Sequence, residues 1–221
     1  MSSAAKSPRQ IRNRRDFSTA PRAGNGAAVG AGKKRDLEPG LRQRHLRSLV
    51  VTLQPAGAFL QSFSLGRLRA GAVTLGCAIG GGRIKHDKRE GDRATPAGPF
   101  RLLFGFYRAD RVARNETLLP MRPLSRRDLW CDDPESARYN RLVAAPFRPS
   151  HEKLWRDDHL YDIVIALDYN LYPRRKGRGS AIFLHCARLD FLPTEGCIAL
   201  KRDDLRRLLP RLSQKTILII R

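Results

Sequence analysis

The sequence predicts a mainly β domain with one short helix near its C-terminus, preceded by a disordered basic tail. Three observations lead there. Short β-branched and apolar runs, broken by Gly, Pro and Asn, recur from Leu49 onward. A single segment, 201–209, carries leucines at helical spacing. Residues 1–47 are too poor in apolar side chains to build a core.

Taken in order, Ser48–Leu53 reads as the first strand, ending before Pro55-Ala56-Gly57. Residues 67–68 and 71–79 read as further strands, and Gly80-Gly81-Gly82 as a flexible break. Residues 99–107 alternate imperfectly, as a half-buried strand would. The stretch 108–153 is rich in Pro, Arg and Asp and reads as long loops lining a substrate. The run 161–167 is the most strongly β-branched in the chain. Asp168-Tyr169-Asn170 then turns into the basic loop 173–179, and 182–187 reads as another strand. The helix over 201–209 follows, with Leu205, Leu208 and Leu209 on one face and Pro210 at its end. Residues 216–220 supply the last strand. The expected division is a tail at 1–47 and a catalytic domain at 48–221.

Chemistry concentrates near the C-terminus. His185 lies in the strand 182–187, and Cys197 follows twelve residues later in Thr194-Glu195-Gly196-Cys197. A strand carrying a base and a tight turn carrying a thiol make a Cys-His nucleophile pair. A free thiol titrates near ~8.5, so it needs the imidazole to take its proton, leaving a thiolate-imidazolium pair. Gly196 lets the backbone approach a substrate closely, so the amides of Gly196 and Cys197 are the expected oxyanion donors. Alternation puts Phe183, His185 and Ala187 on one face and Ile182, Leu184 and Cys186 on the other. Cys186 therefore faces away, and Cys197 is the better nucleophile. A zinc site from Cys186, Cys197, His185 and His159 has no supporting spacing, and no cofactor is expected.

Two blocks in this order resemble the L,D-transpeptidase catalytic domain (YkuD) family. One is His185 with Thr194-Glu195-Gly196-Cys197. The other is Thr95-Pro96-Ala97-Gly98-Pro99-Phe100. The segment from Trp155 to Asp162 is similar to a bacterial subgroup, and the resemblance runs from about Leu49 to Arg221. The chain departs in having Glu195 where many members have His, and Ile198-Ala199-Leu200 after the cysteine. The resemblance implies a β-sandwich in which Cys197 attacks a peptidoglycan stem tetrapeptide with His185 as acid and base, and no metal. It also implies a location in the bacterial periplasm or envelope, with stem peptides, or an envelope protein as acceptor, for partners. Hydrolysis, D-amino-acid exchange or protein anchoring by the same acyl-enzyme stay open. His159, Tyr161, Glu195 and Arg188 are candidate substrate-lining residues.

Net charge is +22, with +9 on residues 1–48 and +13 on the rest. A surface this basic draws polyanions, so a non-catalytic wall- or nucleic-acid-binding module is the rival reading. Against nucleic acid stand the lack of any finger, helix-turn-helix or aromatic-basic motif and an aromatic content of 7%. Arg14-Arg15-Asp16-Phe17 resembles a twin-arginine signal, yet no apolar stretch follows it, so no export route is read. No run is long enough for a membrane helix. Four cysteines, at 77, 131, 186 and 197, form no disulfide pattern; Cys77 reads as core and Cys131 as part of a loop.

Overall fold

The structure, a computed structural model, describes residues 45–54, 65–114 and 116–221. Residues 1–44 of the tail, with its arginine-rich motif, lie outside them. Fourteen strands follow in chain order: β1 (Ser48–Leu53), β2 (Leu65–Ala70), β3 (Val73–Ala78), β4 (Ile84–Lys85), β5 (Thr95–Pro96), β6 (Gly98–Tyr107) and β7 (Met121–Pro123). Then come β8 (Asp128–Cys131), β9 (Arg141–Ala144), β10 (His151–Lys153), β11 (Ile163–Leu167), β12 (Phe183–Cys186) and β13 (Ile198–Leu200). Helix α1 (Arg202–Leu208) and β14 (Ile217–Ile220) close the chain.

Eight strands pair in the order β11-β12-β13-β3-β2-β1-β14-β6, and β6 pairs back onto β11, so the main sheet closes into a ring. Closure removes the free edges that an open sheet exposes. The long β6 makes this possible: residues 98–101 pair with β14, and residues 102–107 pair with β11. A register shift at Ala166/Leu167 turns the ladder there. Side chains at alternate positions then sort by face. Leu49, Val51, Leu68, Cys77, Leu102, Ile165, Leu184, Cys186, Ile198 and Leu218 fill one buried cluster, joined by Leu205, Leu208 and Leu209 from α1 and the turn after it. Phe106, Val164, Ala166, Phe183 and Cys197 point the other way.

That second face is covered by what the sequence hid. The stretch 108–153, expected as long loops, contains β7 to β10. Strands β10, β8 and β9 form a separate three-stranded antiparallel sheet. Each is three or four residues long, too short for a clear alternation between Pro and Arg punctuation. Trp130 on β8 packs edge-on to Phe183 at 5.0 Å, and its indole N–H donates to Asn140 Oδ1 at 2.9 Å. Leu124, Leu154 and Tyr161 complete the layer. Cys131, expected in a loop, is fully buried on β8. The insertion is thus a roof with its own apolar underside.

The glycine run is also not a loose break. A Cβ at Gly80 would lie 2.1 Å from the Arg93 carbonyl oxygen, and one at Gly82 would lie 2.3 Å from that of Asp92. Glycine is required because segment 92–95 presses against it. The Gly80 N–H donates to Thr95 Oγ1 at 2.8 Å, which holds the Thr-Pro block beside residue 80.

Helix α1 has Asp203 and Asp204 in its first turn and Arg206 and Arg207 in its last, matching the helix dipole. The fully buried Asp162 gathers Arg111 (3.2 Å), Arg202 (3.1 Å) and His159 Nδ1 (2.9 Å). One carboxylate thereby ties the helix to the segments before β7 and β11. No helix among the described residues is long and apolar enough to cross a membrane.

Candidate active site

Strands β12 and β13 are parallel neighbours, with His185 opposite Ala199. Cys197 lies two residues before Ala199 and so shares its face. This register carries His185 and Cys197 to one side of the ring, beneath the three-stranded roof. Cys186 points into the core, where its Sγ is 3.7 Å from the Ile163 carbonyl oxygen. The two cysteines are separated by the sheet itself, so no metal set can gather them. Among the described residues no group of three His, Cys, Asp or Glu is placed to hold a metal.

Both side chains line a cleft of about 790 Å³. Tyr161, Glu195 and Arg188 line it too; His159 does not. The His159 side chain is 70% exposed and turned to Asp162, with Nδ1 2.9 Å from its carboxylate. Arg178 pairs with Asp87 outside the cleft.

The Gly-Cys turn is closed from within. Thr194 Oγ1 donates to the Cys197 carbonyl at 2.6 Å and accepts the Gly196 N–H at 3.2 Å. Gly196 has φ +133, and a Cβ there would lie 2.7 Å from the Ala94 carbonyl oxygen. No other residue fits that position unstrained. The Thr-Pro block and the Gly-Cys turn, a hundred residues apart in sequence, are therefore in contact.

Burial keeps both the Cys197 and the His185 side chains neutral. Cys197 Sγ donates to the Ala181 carbonyl at 3.1 Å and accepts the Phe183 N–H at 3.3 Å. Burial, reinforced by the Glu152 carboxylate, pushes its thiol up to about 12, against the pull of the Phe183 N–H and the Lys88 ammonium. Burial likewise drives His185 down from 6.5 to about 4, opposed by hydrogen bonds to backbone. The His185 Nδ1 lies 2.8 Å from the Cys186 carbonyl oxygen. That acceptor assigns the proton to Nδ1 and leaves Nε2 as the basic nitrogen.

Several lining groups were invisible in the sequence. Glu152 on β10 accepts the Tyr161 hydroxyl at 2.5 Å, and burial raises its own carboxyl. Tyr161 in turn stacks edge-on to the His185 ring at 5.2 Å. The Tyr161 hydroxyl is thus already committed. Glu90 accepts both Tyr139 (2.5 Å) and Ser180 (2.9 Å). Asp132 Oδ1 is buried at the cleft with no hydrogen-bond partner among the described residues. The cleft wall therefore mixes Glu90, Asp132, Glu152 and Glu195 with Arg93, Lys153, Arg156 and Arg188. Glu195 and Arg188 were candidates from the sequence. No local pattern announces the others, which folding brings in from the roof (Asp132, Glu152, Lys153) and from the segment before β5 (Glu90, Arg93).

A family model for the L,D-transpeptidase catalytic domain (YkuD) matches residues 57–220. No curated protein and no solved structure matches the chain.

Proposed function

Since the chain belongs to the L,D-transpeptidase catalytic-domain family, we propose that it forms 3→3 crosslinks in peptidoglycan through an acyl-enzyme on Cys197. The observation that carries this reading is the placement of Cys197 and His185 on one face of adjacent strands, in one cleft.

Cys197 Sγ attacks the carbonyl of the third residue of a stem tetrapeptide, and its proton passes to His185 Nε2. Both groups start neutral, so the proton moves as the sulfur attacks and not beforehand. The carbonyl π electrons go to oxygen. The Gly196 N–H is spent on Thr194, so the Cys197 N–H is the donor for that oxyanion. Collapse breaks the amide bond, His185 returns the proton to the departing D-alanine amine, and a thioester remains. The side-chain amine of a diaminopimelate on a second stem then attacks, with His185 again taking and returning a proton. The substrate situates the enzyme in the bacterial envelope.

The test is incubation of purified protein with disaccharide tetrapeptides, followed by mass analysis of the muropeptides. The reading predicts a tetra-tri dimer with loss of one D-alanine. A tripeptide alone would replace crosslinking by hydrolysis, exchange of the terminal residue would make the enzyme an exchanger, and no change would remove the donor assignment.

A further inference from the structure

Behind the catalytic turn lies a charge that no step above uses. Lys88, between β4 and β5, has 3% of its side chain exposed. Its ammonium is 2.7 Å from Asp92 Oδ1 and 3.3 Å from the Arg89 carbonyl oxygen. Asp92 is itself fixed by the N–H groups of Arg89 (2.9 Å) and Ala94 (2.8 Å). The lysine stem lies against Gly179, where a Cβ would sit 2.9 Å from Lys88 Cε. The ammonium lies against Gly196, where a Cβ would sit 3.4 Å from Nζ. Two glycines thus make the room that lets a cation reach the back of the Gly196-Cys197 peptide.

A buried ion pair is weak ground for stability, because desolvating both charges offsets most of their attraction. Its position is the better clue. The charges that act on Cys197 are Glu152 on β10, Glu195 in the turn and Lys88. Tyr161 ahead of β11 and His185 on β12 share the cleft, where Arg156 pairs with Glu152 at 3.9 Å and Arg93 with Glu195 at 3.1 Å. The two carboxylates oppose negative charge on sulfur. Lys88 is the ammonium that opposes them, and it does not line the cleft.

We propose that Lys88, held by Asp92 against Gly196, is a positioning charge that favours the Cys197 thiolate and the oxyanion at the same turn without touching substrate. It donates no proton. The S–H proton still goes to His185, and the ammonium stays bonded to Asp92 throughout. The proposal rests on Cys197 as nucleophile, but alkylation by iodoacetamide tests it without any assumed substrate, since that reagent needs only a thiolate.

The experiment compares wild type, Lys88→Met, Asp92→Asn and Lys88→Met/Asp92→Asn. The double variant leaves no unpaired buried carboxylate, so it covers the case in which the single variant fails to fold. Adducts at Cys197 are followed by peptide mass mapping across pH, with thermal unfolding as the check on folding. In folded Lys88→Met, and in the double variant relative to Asp92→Asn, the whole rate–pH curve should move up by about one pH unit, so alkylation at fixed pH slows about tenfold. A structural role alone would change stability and leave that curve in place. A folded Lys88→Met with the wild-type curve, or a folded double variant whose curve matches that of Asp92→Asn alone, overturns the proposal. A wild type that never acylates with a carbapenem would instead sink the function reading, and alkylation would still decide for or against Lys88.

Discussion

The buried imidazole gives the protein a pH dependence whose size follows from its surroundings. His185 takes its proton near 6.5 when unfolded and only near 4 in the native cleft, chiefly because burial penalises the cation. Between those values the unfolded chain binds the extra proton, so this group lowers stability as pH falls from 6.5 to 4 and costs nothing above. Replacing it by Gln removes the titration and keeps a polar side chain of similar size. From about pH 7.5 to about pH 4.5 the wild type should lose about 2.5 kcal/mol more than His185→Gln. The two proteins are unfolded in denaturant at both pH values, and the difference of differences is taken. Every other acid group then cancels, as does the fixed cost of the substitution. Equal losses in the two proteins would refute the buried, neutral imidazole.

Three further outcomes follow from the same geometry. Gly196→Ala forces a Cβ to 2.7 Å from the Ala94 carbonyl at φ +133. It should cost about 2 kcal/mol or more by thermal unfolding and slow carbapenem acylation about a hundredfold by displacing the thiol. Cys186→Ala empties a small volume in the inner core and should cost about 1–2 kcal/mol. It should nevertheless keep acylation within about twofold, because the reacting face is untouched. Glu152→Gln removes a carboxylate that raises the Cys197 thiol, so alkylation of Cys197 at neutral pH should speed up by about three- to tenfold.

Much of the frame was legible because it is written in local periodicity. Ser48–Leu53 is the first strand as the β-branched run implies. The alternation Phe183/His185 against Leu184/Cys186 turned Cys186 away from His185, and the structure separates Cys186 from Cys197 by the same face rule. The leucines of α1 gave the helix to within a residue or two. What escaped depends on contacts far apart in sequence. Glu90 meets Ser180, Lys88 reaches Gly196, and the roof strands owe their place to Trp130 packing on Phe183. Neutral Cys197 and His185 could not be read either, since burial is a property of the covered cleft and not of the motif. The glycines at 80 and 82 look like flexible punctuation in the sequence, yet they are the places of closest backbone approach.

One measurement decides whether Cys197 is the acylated nucleophile and His185 its base. Intact-mass analysis after incubation with a carbapenem should give a single adduct on wild type and on Cys186→Ala. It should give none on Cys197→Ala and a strongly slowed one on His185→Gln. An adduct of unchanged mass and rate on folded Cys197→Ala would contradict the account outright.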